Sequence, residues 1–173
     1  HIPLTLACNS VVELPISSSD HLVRVLRMQV GQSLTAFNGD GREHSAEILR
    51  IDKRGVAVRI TSAGVAVGSE SPLRITLAQG IARGDKMDWI VQKATELGVH
   101  AIVPIITERT EVKLDAERAQ RRVAHWQAVV TSACEQSGRA VVPLVAPPVK
   151  LADWCARLGD DAGLRLSLDP QST

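Results

Sequence analysis

Cys134, Glu135, Gln136 and Arg139 bring a thiol, a carboxylate, an amide and a guanidinium into one short run, Cys-Glu-Gln-Ser-Gly-Arg. The last three of these groups could hold a polar ligand. A Cys134–Glu135 nucleophile–base pair is disfavoured, because adjacent helical residues do not face each other. Cys134 reads instead as a core thiol. Thr107-Glu108-Arg109-Thr110-Glu111 follows an apolar run without Gly or Pro. It is either a strand-end site or an internally paired surface turn. Gly80-Ile-Ala-Arg-Gly84-Asp85-Lys86 lies where phosphate loops lie, but its glycines are too close and Asp85 would repel phosphate. Lys86 and Lys93 stand almost in line on the next helix, with Gln92 and Glu96 further round; spacing alone makes them an exposed flank. The 5 histidines and 3 cysteines lack ligand spacing, which argues against a metal site.

Those side chains need a scaffold. With 173 residues and a 45% hydrophobic share, the chain can bury a core. Residues 11–61 read as mostly β with one short helix. Asp20 is placed to cap His21–Met28, with Leu22, Val25 and Leu26 on one face. Asn38-Gly39-Asp40-Gly41 is a hairpin turn, and the short strands around it predict a small barrel. Residues 62–72 are small, Gly- and Ser-rich, and separate an N-terminal unit (1–70) from a second (73–173). The second unit alternates strand and helix, which predicts a parallel sheet. Its strands are expected at Leu73–Ala78, Ala101–Ile106, Val141–Val145 and Leu164–Leu168. Its helices are expected at Asp85–Gly98, Asp115–Ser137 and Val149–Leu158. Pro104 favours an edge or irregular strand.

The net charge of +1 excludes nucleic-acid binding by bulk charge. Local clusters remain, Arg24 with Arg27 and Arg118 with Arg121 and Arg122, each more readily read as a solvated helix face. No membrane span or secretory signal is visible, and the cysteine usage points to a cytoplasmic protein with reduced thiols.

Six segments occur in one order with short gaps: HLVRVLRM, FNGDGRE, RGDKMDWIVQKATELGV, PIITERTEVKLD, ACEQSGR and LRLSLDP. Together they resemble the ribosomal RNA small subunit methyltransferase E family from about Leu14 to Pro170. QKATELGV and CEQSGR are specific when found together. The resemblance implies an N-terminal PUA-like, RNA-binding barrel (1–70) and a C-terminal SPOUT-type α/β domain (73–173), the class that carries a trefoil knot. It implies methylation of N3 of one uridine in 16S ribosomal RNA, with S-adenosylmethionine as cofactor, the small ribosomal subunit as partner, and a homodimer at full length. It further implies roles. Glu135, Arg139 and Arg109 are the catalytic candidates, the arginines stabilising the uracil anion or binding phosphate. Leu168, Asp169 and Pro170 are the cofactor-side segment. Arg24, Arg27, Lys86 and Lys93 are RNA contacts, and Gln92, Glu96 and Gln136 support them.

The family's Gly-Pro-Glu-Gly-Gly loop and its later Leu-Gly-x-Arg segment have no counterpart in these residues. The expectation is an α/β domain cut before its knot, which by itself binds cofactor weakly or not at all. One rival is a non-catalytic RNA-binding module, weakened by a 2% aromatic share. Another is an α/β nucleotide-binding protein, disfavoured by the broken phosphate loop.

Overall fold

The computed structural model describes residues 1–66, 68, 70–108, 115–159 and 163–168. Alternating apolar residues first build an antiparallel sheet from β1 (Val11–Glu13), β2 (Ser33–Phe37), β3 (Arg42–Asp52), β4 (Gly55–Ile60) and β5 (Val65–Ala66). The order is β1-β4-β3-β2, with β5 on β3. Where the sequence predicts a small barrel, the described residues form this five-stranded sheet. The hairpin of β2 and β3 turns through Gly39 and Gly41, whose φ values of 96° and 85° only glycine adopts freely. Ala46, Ile48, Val56, Val58 and Ile60 bury one face against Ile2 and Val12.

The predicted Asp20 cap is not observed. Helix α1 (Ile16–Asp20) starts earlier and widens into a π-helical turn over His21–Val25. Asp20 is therefore helical itself, and its carboxylate pairs with Arg24 at 3.1 Å. The wider turn changes the phase of the side chains, and the expected apolar face does not form: Val25 and Leu26 are exposed.

The second unit runs β6 (Thr76–Gly80), α2 (Asp85–Glu96), β7 (Ala101–Ile106), α3 (Ala116–Ser137), β8 (Leu144–Val145), β9 (Val149–Lys150) and α4 (Leu151–Arg157). Its sheet is parallel, in the order β6-β7-β8, with β9 also on β7. Met87 and Val91 of α2 pack with Trp126, Val130 and Cys134 of α3 over Ile102. The Asp115 side chain caps α3 by accepting from the Arg118 amide at 2.8 Å, and Gly138, at φ 74°, ends it.

Five expectations shift. The last helix starts at Leu151 rather than Val149, with Val149–Lys150 forming β9. The first strand starts at Thr76, not Leu73; Leu73 and Ile75 are exposed, although the Ile75 carbonyl accepts from the His100 amide. Pro104 sits in the central strand rather than at an edge. Its missing N–H does no harm there, because β7 pairs β8 through Ile102 and resumes with β9 only at Ile105, so Pro104 falls in the gap. The third strand shrinks to β8, since Val141 bridges instead to Gly39 and Asp40 of the first unit. Leu164 to Leu168 carries no strand, and its three leucines are exposed. No helix among the described residues is long and apolar enough to cross a membrane.

Candidate functional site

The hexapeptide at the end of α3 splits by helical phase. Cys134 points into the core, where burial pushes its thiol up to about 11 against the attraction of Arg139. It is neutral at physiological pH and its Sγ approaches the Val141 carbonyl at 3.6 Å. A thiolate nucleophile is thereby excluded at this position. Glu135, one residue on, is exposed and accepts from the His1 amino group at 2.8 Å. Gln136 is exposed beside it.

Arg139 is the surprise. Gly138 reverses the chain after α3 and sends the Arg139 side chain inward, leaving it 9% exposed. Its Nε donates to both oxygens of Glu70 at 3.2 and 3.3 Å, and its Nη2 donates to Glu70 Oε2 at 2.9 Å. Nη1 donates to the carbonyls of Thr95 and Val99 at 2.9 and 3.0 Å, at the C-terminal end of α2. A planar guanidinium matches this set, two carboxylate oxygens on one edge and two carbonyls on another. Those donors are committed, so the guanidinium has little left with which to clamp a substrate anion.

Glu70 is the residue that sequence reasoning missed. It accepts a further bond from the Val141 amide at 3.3 Å. A signal was available: between Arg59 and Arg74 it is the sole charged residue in a run of small and apolar ones.

On α2, Glu96 draws two neighbours together. Lys93 Nζ donates to Oε2 at 2.7 Å and Gln92 Nε2 to Oε1 at 2.9 Å. The Lys93 bond first, then the Gln92 bond, holds the Glu96 carboxyl below its ordinary range. Lys86 is exposed on the first turn. Asp88 reaches across to His125 of α3 at 2.7 Å. Arg24 and Arg27 lie on the first unit, both exposed, and Arg27 holds φ 52°. That backbone conformation is rare outside glycine and concentrates at functional positions.

Arg109, Asp169 and Pro170 lie outside the described residues. Leu168 is 93% exposed. A cleft of about 220 Å³ opens between β7, the segment joining β8 to β9, and α4, lined by Val103, Pro147, Trp154 and Arg157 among others. It is smaller than the roughly 300–1,000 Å³ of sites that enclose drug-sized ligands. Among the described residues, no group of three or more His, Cys, Asp or Glu side chains could hold a metal ion.

A family model described as an RNA methyltransferase domain matches residues 69–173, and one described as an RNA methyltransferase PUA domain matches 18–61. The ribosomal RNA small subunit methyltransferase E of Bacillus subtilis is 36% identical over 72% of this chain. Its namesake from Buchnera aphidicola subsp. Schizaphis graminum is 32% identical over 91%. The matches span 48% and 63% of those proteins, so this chain covers only part of their length. Among solved structures, a Legionella pneumophila protein in complex with bound cofactor SAM is 41% identical. It superposes with a TM-score of 0.89 over 98% of this chain and 69% of that one. The ribosomal RNA small subunit methyltransferase E of Neisseria gonorrhoeae, bound to S-adenosyl methionine, is 40% identical. Its TM-score is 0.82 over 92% of this chain and 64% of that one.

Proposed function

Because the chain belongs to the ribosomal RNA small subunit methyltransferase E family, we propose that it serves the transfer of a methyl group to N3 of one uridine in 16S ribosomal RNA. The observation that carries this reading is the superposition, over 98% of the chain, on a protein solved with bound SAM. In this reading the five-stranded unit is a PUA-like barrel that holds RNA. The parallel sheet is a SPOUT-type domain, the knot lying in family segments without counterpart here. The enzyme works in the cytoplasm as a homodimer on the small subunit.

S-adenosylmethionine supplies an electrophilic methyl group when bound. The family carries that assignment rather than a pocket in this structure. Leu168 is open to solvent, and the 220 Å³ cleft offers one charged side chain, Arg157, of the same sign as a sulfonium. Leu168, Asp169 and Pro170 are proposed as one wall of the cofactor site.

The protein's own task is on the RNA side. A uracil N3 must lose its hydrogen before or during methyl transfer. Glu135 is the proposed acceptor, being exposed and next to the seam between the units. Arg109 is the proposed stabiliser of the uracil anion. Arg24, Arg27, Lys86 and Lys93 are proposed phosphate contacts, which position without reading sequence. Gln92 and Glu96 orient Lys93, and Gln136 supports Glu135. For Arg139, whose donors go to Glu70 and to the carbonyls at the end of α2, a structural role is proposed in place of anion stabilisation.

The test is methyl transfer from tritiated S-adenosylmethionine to small subunits lacking the modification, using protein expressed from its complete reading frame. Mass spectrometry of nuclease fragments locates the product. Label on N3 of a single uridine is the expected result. RNA binding without transfer would leave a non-catalytic RNA-binding module in its place.

A further inference from the structure

We propose that Glu70 and Arg139 are positioning residues: a latch that fixes the angle between the RNA-holding unit and the methyl-transfer unit. The proposal deepens the RNA methyltransferase reading and rests on it for its purpose.

The latch sits where four pieces of chain converge. Glu70 belongs to the segment that joins the two units. Arg139 belongs to the turn after α3 and reaches the end of α2 through the Thr95 and Val99 carbonyls. The next residues carry the seam onward. The Ala140 carbonyl accepts from the Gly41 amide at 3.2 Å, and Val141 bridges Gly39 and Asp40. The approach is close enough that a Cβ on Gly41 would stand 3.3 Å from Val141 Cγ2, and one on Gly39 would stand 3.4 Å from Val142 Cγ2. Phe37, at the end of β2, is buried in the core of the second unit.

Each contact does something different. Phe37 supplies apolar burial, which is not directional. The turn at Gly39–Gly41 supplies a hinge line. The guanidinium supplies direction, because a planar fork with four fixed acceptors tolerates little rotation. Neutralising both charges with apolar residues would keep the burial and lose the direction. A bound RNA spans the seam in the proposed reaction, so its target base arrives at the methyl donor only if that angle is held. Misplacement by about 1 Å can lower a rate by about 100-fold.

The chain supplies its own ruler. Cys8 on the first unit and Cys155 on α4 are exposed, whereas Cys134 is buried with its thiol pushed up to about 11. Nitroxide labels on Cys8 and Cys155 report the distance between units by double electron–electron resonance, with no RNA or cofactor present. Wild type should give one narrow distribution. Glu70→Ala should broaden it. Because that variant strands a buried guanidinium and can lose its fold, the paired variant Glu70→Leu/Arg139→Met is measured beside it. The expected result is a folded protein by circular dichroism with a broadened distribution, and kcat/KM for small subunits down about 10–100-fold. A folded paired variant as narrow as wild type overturns the latch. So does a paired variant that fails to fold, since the pair would then hold the fold rather than the angle. The readouts separate the two claims. Broadening without methyl transfer by wild type keeps the latch and removes the enzyme; transfer with unchanged distances does the reverse.

Discussion

Removing Glu70 alone should cost more than removing both partners of its ion pair. In Glu70→Leu, Arg139 keeps its two carbonyl acceptors and loses the carboxylate, while its side chain stays 9% exposed. Breaking a buried pair from one side costs about 3–5 kcal/mol, because a charge is left without a counterion. Glu70 is 22% exposed, so water reaches part of the site, and about 2–3 kcal/mol is the better expectation. Arg139→Met strands the Glu70 carboxylate and should cost a similar amount. In the double variant no charge is stranded, and about 1 kcal/mol or less is expected. The cycle thus closes on a coupling energy of about 3–5 kcal/mol. Urea unfolding followed by tryptophan fluorescence measures it, and each single variant should melt about 4–12 °C lower for a domain of this size. The coupling should survive 1 M salt, where the screening length is about 3 Å, because the partners are shielded from ions. The exposed pair of Arg121 and Glu117, 68% and 80% exposed, provides the control and should show no measurable coupling. Single losses below about 0.5 kcal/mol that simply add would refute the reasoning, and would return Arg139 to the pool of groups free to meet a substrate.

Other outcomes follow from the same contacts. Cys134, with its thiol at about 11, should resist thiol reagents at pH 8 while Cys8 and Cys155 react; a third equivalent modified in the folded protein contradicts the burial argument. The same raised value makes stability constant below pH 9, where both states hold the proton. It is lost as pH rises toward about 11, since the unfolded thiol ionises first; pH-dependent urea midpoints check the sign. Glu135→Gln should lower methyl transfer by about 100-fold or more while costing at most about 1 kcal/mol of stability for the lost ion pair to the His1 amino group, and unchanged turnover removes Glu135 as the proton acceptor. Arg27→Gly should stabilise the protein by about 1 kcal/mol, because its φ of 52° no longer strains a side chain. It should also weaken RNA binding and flatten the salt dependence by about one unit of slope. A stability gain with unaltered RNA affinity keeps the strain argument and discards the phosphate contact.

Most elements of the fold are legible in local patterns, for physical reasons that differ by element. The spacing of Met87, Ile90, Val91, Ala94 and Leu97 fixes α2 because one helical face must enter the core; Met87 and Val91 are buried, whereas Leu97, just past the helix end, is exposed. Asp115 and Gly138 mark the ends of α3 because each supplies what a helix terminus lacks. Pro104 misleads because its rule concerns a continuous ladder, and here the neighbouring strand is broken at that residue. The helix at Asp20 misleads because a widened turn moves every later side chain, and hydrophobic periodicity at 3.6 residues cannot register it. The leucines at 164, 166 and 168 have the pattern of a strand, yet a strand needs a partner as well as a pattern. The ion pair at the seam is a harder case. Its partners are separated by 69 residues, and no local rule connects charges at that range. Only the isolation of Glu70 in an uncharged run hints that this carboxylate answers to something distant.

That isolation bears on how the hexapeptide should be read. As a string of chemical groups it invites a single active centre, with thiol, carboxylate and guanidinium converging on one substrate. Helix geometry forbids the convergence. Cys134 and Glu135 are about 100° apart around α3, and here the first enters the core while the second reaches the surface. Gly138 then folds Arg139 back under the helix end, where its guanidinium bonds Glu70 and the carbonyls at the end of α2. The three groups receive three environments: an apolar core, a partly exposed surface beside the His1 amino group, and a closed polar socket. The first holds its proton to about 11 and the third is bound on two edges, which leaves the carboxylate as the group a ligand can reach. On this ground Glu135 is the group of the motif proposed to meet a ligand, and Arg139 keeps the positioning role proposed for it at the seam.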